Sequence, residues 1–152
     1  MKKLNRTIWI IIFTLFSLFA CKNSPEQGEK KLLANYIEQM KLPENYKWII
    51  ILPGVGCHGC IEDGEYFMQQ NIKNKDILFI LTKISSLKIL QQKIGFKVDK
   101  YTNIYVDKKN IINIPINNSI YPCVIKLEKG RLSSYSFQNP SNDAFRQLKQ
   151  QN

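Results

Sequence analysis

The chain has 152 residues and a formal net charge of +10 at pH 7; 44% of its residues are hydrophobic and 22% are charged. This length and mixture are those of one globular domain, which can bury a sufficient core without disulfide staples. The lysines are scattered rather than gathered on one helical face with aromatic residues between them. The positive charge therefore predicts solvated surfaces and no nucleic-acid partner.

The N-terminal segment has the pattern of a secretory signal. Residues 1–6 are basic, residues 8–19 are apolar and uncharged, and Ala20 precedes Cys21. A basic region followed by an apolar region and a small residue is typical of a signal peptide. The apolar run is shorter than the roughly 20 residues that a membrane span needs, although an uncleaved signal anchor is the alternative.

The residues just before the first cysteine, 18–21 (LFAC), resemble the bacterial lipobox, in which the cysteine receives a diacylglycerol and the preceding peptide is removed. The resemblance implies that residues 1–20 are a signal peptide. The polar residues that follow, which include Pro25 and Gly28, indicate a tether at 21–31 before a folded domain at 32–152. The resemblance also implies a lipid-anchored membrane protein of the bacterial cell envelope that faces the periplasm, where disulfide chemistry is ordinary. Cys21 would carry the lipid and could not pair with another thiol.

Hydrophobic periodicity beyond the tether predicts strands that alternate with helices. In chain order we expect a short helix ending before Pro43, a buried strand at 48–52, a helix from Cys60, a buried strand at 76–81, a helix capped by Ser85 or Ser86 and closed by Gly95, strands at 103–106, 123–127 and 132–137, and a last helix from Pro140. This order indicates a parallel-centred α/β sheet, to which the closing hairpin adds antiparallel strands on one side.

A C-x-x-C motif, Cys57 to Cys60, lies where a buried strand gives way to a helix. Backbone N–H groups and the helix dipole stabilise negative charge at a helix N-terminus. We therefore expect the pKa of Cys57 to lie below the value of about 8.5 for a free cysteine, which makes this thiol nucleophilic. Cys60, one turn later and deeper, is the expected resolving thiol. The pattern predicts thiol–disulfide exchange.

Two neighbouring residues each have two interpretations. If His58 is charged, it would stabilise the Cys57 thiolate, and otherwise it is a solvent-facing spacer between the two cysteines. Cys123 would be a third redox thiol, or a buried small apolar residue of the kind that free cysteines commonly are.

Three features resemble the thioredoxin superfamily, in particular its membrane-anchored bacterial redoxins. They are the strand at 48–52, the Cys57–Cys60 motif that opens a helix, and Tyr121-Pro122 before a strand and hairpin. The resemblance covers roughly residues 44–150. The resemblance implies a thioredoxin-like α/β fold with a central mixed sheet flanked by helices. It implies a thiol–disulfide oxidoreductase that acts on protein thiols and disulfides. By the same resemblance, Pro122 is a cis-proline that keeps metal ions from the thiols, and the Tyr121 backbone pairs with the substrate chain.

Two positions depart from the family pattern. Many thioredoxins have a tryptophan where this chain has Gly56. Some also have a buried acid that accepts a proton from the resolving thiol, and this chain has Ile51 at that position. Glu62, Asp63 or a water molecule would have to take over that role.

Two other functions could use the same cysteines. Cys57, Cys60 and Cys123 could bind copper(I) in a lipid-anchored carrier or metallation factor, because soft thiolates select this ion. Alternatively, the disulfide only stabilises a binding module, although so short a loop gives little entropic gain. A zinc site is not expected because His58 would point away from its neighbours, and covalent haem requires a histidine where residue 61 is isoleucine. We expect no resident metal and no other cofactor.

Overall fold

A computed structural model describes residues 25–112 and 118–150. The helices are α1 (Pro25–Met40), α2 (His58–Asn71), α3 (Leu87–Ile94) and α4 (Ala144–Gln150), with a 3₁₀ turn at Val98–Lys100. The strands are β1 (Trp48–Pro53), β2 (Ile77–Thr82), β3 (Ile104–Val106), β4 (Cys123–Glu128) and β5 (Arg131–Phe137). They form one sheet in the order β3-β2-β1-β4-β5. β1, β2 and β3 are parallel to one another. β4 is antiparallel to β1, and β5 is antiparallel to β4. The expected thioredoxin-like α/β fold, a mixed sheet flanked by helices, is confirmed.

The central strands β1 and β2 are buried along their whole length. Continuous apolar runs of this kind are typical of parallel strands that are covered on both faces. Because successive side chains alternate across a strand, β1 contributes to two cores. Trp48, Ile50 and Leu52 pack with α2, α3 and α4, whereas Ile49 and Ile51 pack beneath α1.

Capping side chains determine where the two later helices begin. The N–H of Ile89 donates a hydrogen bond to Ser86 Oγ at 3.3 Å, so Ser86 is the cap of α3. As expected, α3 ends at Gly95, which has a positive φ of 79°. The last helix begins later than its predicted start at Pro140, because Asp143 Oδ1 accepts the N–H of Arg146 at 3.0 Å and caps the helix there.

The first helix begins earlier than the sequence predicted. It starts at Pro25, so residues 25–31 of the predicted tether are helical. Further along α1, Leu33 and Ile37 are buried against the sheet, and they give the helix the apolar contact that a short isolated helix needs.

Polar contacts hold the start of α1 on the sheet. The carboxylate of Glu29 accepts a hydrogen bond from the Asn118 side chain. The hydroxyl of Tyr135 on β5 lies 3.2 Å from Glu29 Oε2 and 3.2 Å from the carbonyl oxygen of Glu26. The polar residues that suggested a tether are therefore partly used in docking this helix.

The signal peptide expected at 1–20, Cys21 and residues 22–24 lie outside the described part of the chain. Within the described residues, no helix is both long enough and apolar enough to cross a membrane.

The docking of α1 predicts a specific pH dependence. Burial, and then the negative charge of Glu29, raise the pKa of Tyr135 from 10.0 to about 12. Between these two pH values the folded state keeps a proton that the unfolded state loses, so stability falls as the pH rises. We expect the free energy of unfolding to fall less steeply in Tyr135→Phe than in the wild type over this window, as measured by urea denaturation. From about pH 8 to 9 the two curves should run parallel, and equal slopes above pH 10 would contradict the contact.

Candidate functional site

Cys57 and Cys60 form a disulfide at the N-terminus of α2, with their Cα atoms 5.3 Å apart. Cys57 is the cap residue, whose extended backbone has φ −65° and ψ 106°, and Cys60 lies in the first helical turn. Cys57 is half-buried, whereas Cys60 is only 6% exposed. This is the order of exposure expected for an attacking and a resolving thiol.

The loop before β4 contacts the motif from one side. The N–H of Cys57 donates a hydrogen bond to the carbonyl oxygen of Ile120 at 3.0 Å. Gly56 lies directly against the same peptide: a Cβ at this position would lie 2.3 Å from that oxygen, and its φ of 151° disfavours any side chain. With this backbone, the tryptophan common in the family cannot be accommodated at residue 56.

Pro122 lies in the core behind the motif. It is almost fully buried, and a Cβ added at Gly64 of α2 would lie 3.3 Å from its Cγ. The described residues contain no cis peptide bond, so the expectation of a cis bond before Pro122 is wrong; the bond has the intrinsically favoured trans form. The N–H of Tyr121 donates to the carbonyl oxygen of Asn118 at 3.1 Å. In this conformation it is already used within the turn and is not available to a substrate chain.

The first turns of α2 carry an exposed contact between a histidine and a carboxylate. The His58 side chain is 85% exposed, and its Nε2 lies 3.2 Å from Glu62 Oε1, one helical turn away. Glu62 Oε1 also lies 3.7 Å from Lys93 Nζ, and Asp63 Oδ2 accepts a hydrogen bond from Gln138 Nε2 at 3.2 Å. Both acids suggested as substitutes for the family's buried base are thus exposed and engaged by other side chains.

Cys123 lies on the other side of the sheet from α2. It pairs in register with Ile51 of β1 and belongs to the apolar cluster beneath α1. The residue is fully buried. Burial, and next the negative charge of Glu29, raise the pKa of its thiol far above the ordinary range. This environment favours the interpretation of Cys123 as a buried, protonated core residue over that of a third redox thiol.

The copper hypothesis required three thiolates to converge. Among the described residues, no three side chains of histidine, cysteine, aspartate or glutamate are grouped so that they could hold a metal ion. The layer of the sheet separates Cys123 from the helix that carries Cys57 and Cys60. The copper(I) site that the sequence left open is therefore not formed.

No family model, curated protein or solved structure matches this chain. The likeness to thioredoxins therefore consists of architecture and placement. A mixed five-stranded sheet is flanked by helices, and a close cysteine pair lies where β1 gives way to α2.

Sequence reasoning missed an ion pair beside the motif. Lys93 Nζ of α3 lies 2.6 Å from Glu65 Oε2 of α2, and the Glu65 side chain is only 13% exposed. The hydrogen bond to Glu65 raises the pKa of Lys93, although burial opposes this shift. Glu62 and Glu65 share a helix face by their spacing, which the sequence shows. Their partner comes from a different helix, which spacing does not reveal.

The contact between Gly56 and Ile120 can be tested with a matched pair of variants. We expect Gly56→Ala to lower the free energy of unfolding by about 1–3 kcal/mol, because the new Cβ collides with backbone atoms at a positive φ. Gly59→Ala, two residues on from Cys57, is the control, since a Cβ there meets nothing within 4 Å. This helical substitution should be neutral or stabilising by up to about 1 kcal/mol. Urea denaturation of the oxidised proteins measures both changes, and a Gly56→Ala variant as stable as the wild type would refute the contact.

Proposed function

We propose that this protein exchanges thiols and disulfides with extracytoplasmic protein substrates through Cys57 and Cys60. The observation that carries the proposal is the difference in solvent exposure between the two disulfide-linked cysteines at the start of α2. Cys57 is half-buried and therefore approachable, and Cys60 lies behind it at 6% exposure. A purely structural disulfide would not need this arrangement, and its short loop would add little stability.

The position of Cys57 supports its role as the attacking thiol. As the cap residue of α2, it stands where cap side chains accept hydrogen bonds from the N–H groups of the second and third helical residues. In this chain those are Gly59 and Cys60. In the reduced protein a Cys57 thiolate can accept these bonds and interact favourably with the helix dipole. Both effects favour the thiolate over the thiol.

The exchange consists of two balanced steps. The Cys57 thiolate attacks one sulfur of a substrate disulfide, forms a mixed disulfide and releases the other substrate sulfur as a thiolate, which takes a proton from water. Cys60, deprotonated by solvent, then attacks the Cys57 sulfur and releases the second substrate thiolate. Two electrons pass from the protein dithiol to the substrate, and the reverse sequence oxidises a substrate dithiol. A partner dithiol or disulfide returns the pair to its starting state.

We infer that a lipid anchor at Cys21 holds the domain at the envelope membrane, facing the periplasm. The proposal is supported by the basic and apolar regions that precede a lipobox-like sequence. Because α1 begins at Pro25, few residues separate this cysteine from the folded domain.

Substitution of single cysteines tests the exchange. In full-length protein purified in detergent, Cys57→Ser should reduce insulin disulfides in the presence of dithiothreitol no faster than the uncatalysed rate. Cys60→Ser should also lose turnover. When this variant is reduced, freed of dithiothreitol and then mixed with insulin, it should accumulate a mixed disulfide, because neither the resolving thiol nor another reductant is present to open it. Cys123→Ala should retain turnover. Insulin turbidity and non-reducing gels give these readouts, and a Cys57→Ser variant with full turnover would exclude the proposed chemistry.

Metabolic labelling tests the anchor. In cells fed labelled palmitate, the wild-type protein should take up the label and Cys21→Ser should not, because the acylated thiol is gone. Cys123→Ser is the matched control and should remain labelled. An unlabelled wild-type protein that stays in the membrane would instead indicate an uncleaved signal anchor.

A further inference from the structure

A groove between α2 and α3 borders the redox pair. It has a volume of about 210 Å³, and its lining includes Pro53, Gly54, Ile61, Ile84 and Ile89. Ile61 directly follows Cys60, and Gly54 lies three residues before Cys57. Three residues of backbone span at most about 11 Å, so the Gly54 part of the groove is within this distance of the attacking cysteine.

The groove has the size and surface of a site for one large apolar side chain. A cavity of about 150 Å³ is enough to hold a benzene ring, and this groove is larger. Ile89, one of its lining residues, is 66% exposed. A large apolar residue exposed at a cleft is typical of binding surfaces.

The two charged residues of the groove form an ion pair with each other. Glu65 and Lys93 both line it, and their charged atoms lie 2.6 Å apart. The hydroxyl of Ser86 is used to cap α3. A charged occupant would find no unpaired opposite charge in these groups and would have to lose its hydration. The groove therefore favours an uncharged, apolar side chain.

We propose that this groove binds an apolar side chain of the substrate polypeptide, within about three residues of the cysteine that Cys57 attacks. The inference rests on the proposed function, because the position of the apolar residue is counted from the substrate cysteine that Cys57 attacks. An extended substrate chain covers about 3.3 Å per residue, so two or three residues bring it to the groove. The preferred substrates are thus protein segments with an apolar residue near the disulfide.

Two peptides that differ in one residue test the preference. Each carries a cysteine in a mixed disulfide with a chromogenic aromatic thiol, and the residue two positions away is leucine in one peptide and serine in the other. The reduced full-length protein should release the chromogenic thiol about tenfold faster from the leucine peptide, as expected for one apolar contact. Ile89→Gln should bring the two rates together by slowing the reaction of the leucine peptide, because the apolar contact is lost. Ile111→Gln is the matched control, since this isoleucine is 52% exposed elsewhere on the surface, and it should keep the tenfold preference.

The outcomes separate the two proposals. Equal rates for both peptides in the wild type, or an unchanged preference in Ile89→Gln, overturn the groove while leaving the exchange chemistry intact. If neither peptide nor hydroxyethyl disulfide reacts, the exchange chemistry fails, and the groove is then tested by binding alone. For this purpose the leucine peptide carries serine in place of cysteine. It should shift the amide NMR signals of Ile84 and Ile89 in a saturable way, and the absence of any shift overturns the groove.

Discussion

The burial of both faces of β1 determines where the cysteine pair lies. This strand pairs with β2 on one side and with β4 on the other, and all six of its residues are buried. Its carboxyl end is therefore held firmly, and the chain must leave the sheet there. Pro53 and the glycines that follow make this exit, and α2 begins at once with Cys57 as its cap. A buried strand thus positions a sulfur atom at a helix N-terminus on the surface.

The sheet also separates the cysteines into two environments. Cys57 and Cys60 lie at the start of a helix that covers one face, whereas Cys123 is buried on the other face beneath α1. Burial that raises the pKa of Cys123 keeps it protonated, and a protonated thiol neither attacks disulfides nor binds metal. One sheet thus holds a buried, protonated cysteine within β4 and a linked cysteine pair beyond the end of β1.

Much of this architecture could be predicted from local pattern. Short-range signals predicted β1 and β2 from their apolar runs, and the ends of α3 from a serine and a glycine. The structure agrees with these predictions. The start of α1 could not be predicted, because Glu29 meets Asn118, which lies 89 residues further along the chain. The need for glycine at position 56 could not be predicted either, because a side chain there would collide with the backbone of Ile120, which is distant in the sequence. The resemblance to thioredoxins also led to a wrong expectation, the cis bond before Pro122, since a local match does not determine the conformation of a loop.

We propose that the Cys57–Cys60 disulfide is reduced and re-formed while the protein functions. The most direct test is its reduction potential in the full-length protein, measured by equilibration with glutathione or dithiothreitol and by counting alkylated thiols by mass. We expect reversible exchange with a potential between about −270 and −120 mV, the range of known dithiol exchange proteins. A value near the lower end would indicate a reductase, and one near the upper end a disulfide donor. A potential below about −300 mV, typical of structural disulfides, would contradict a redox role for the pair.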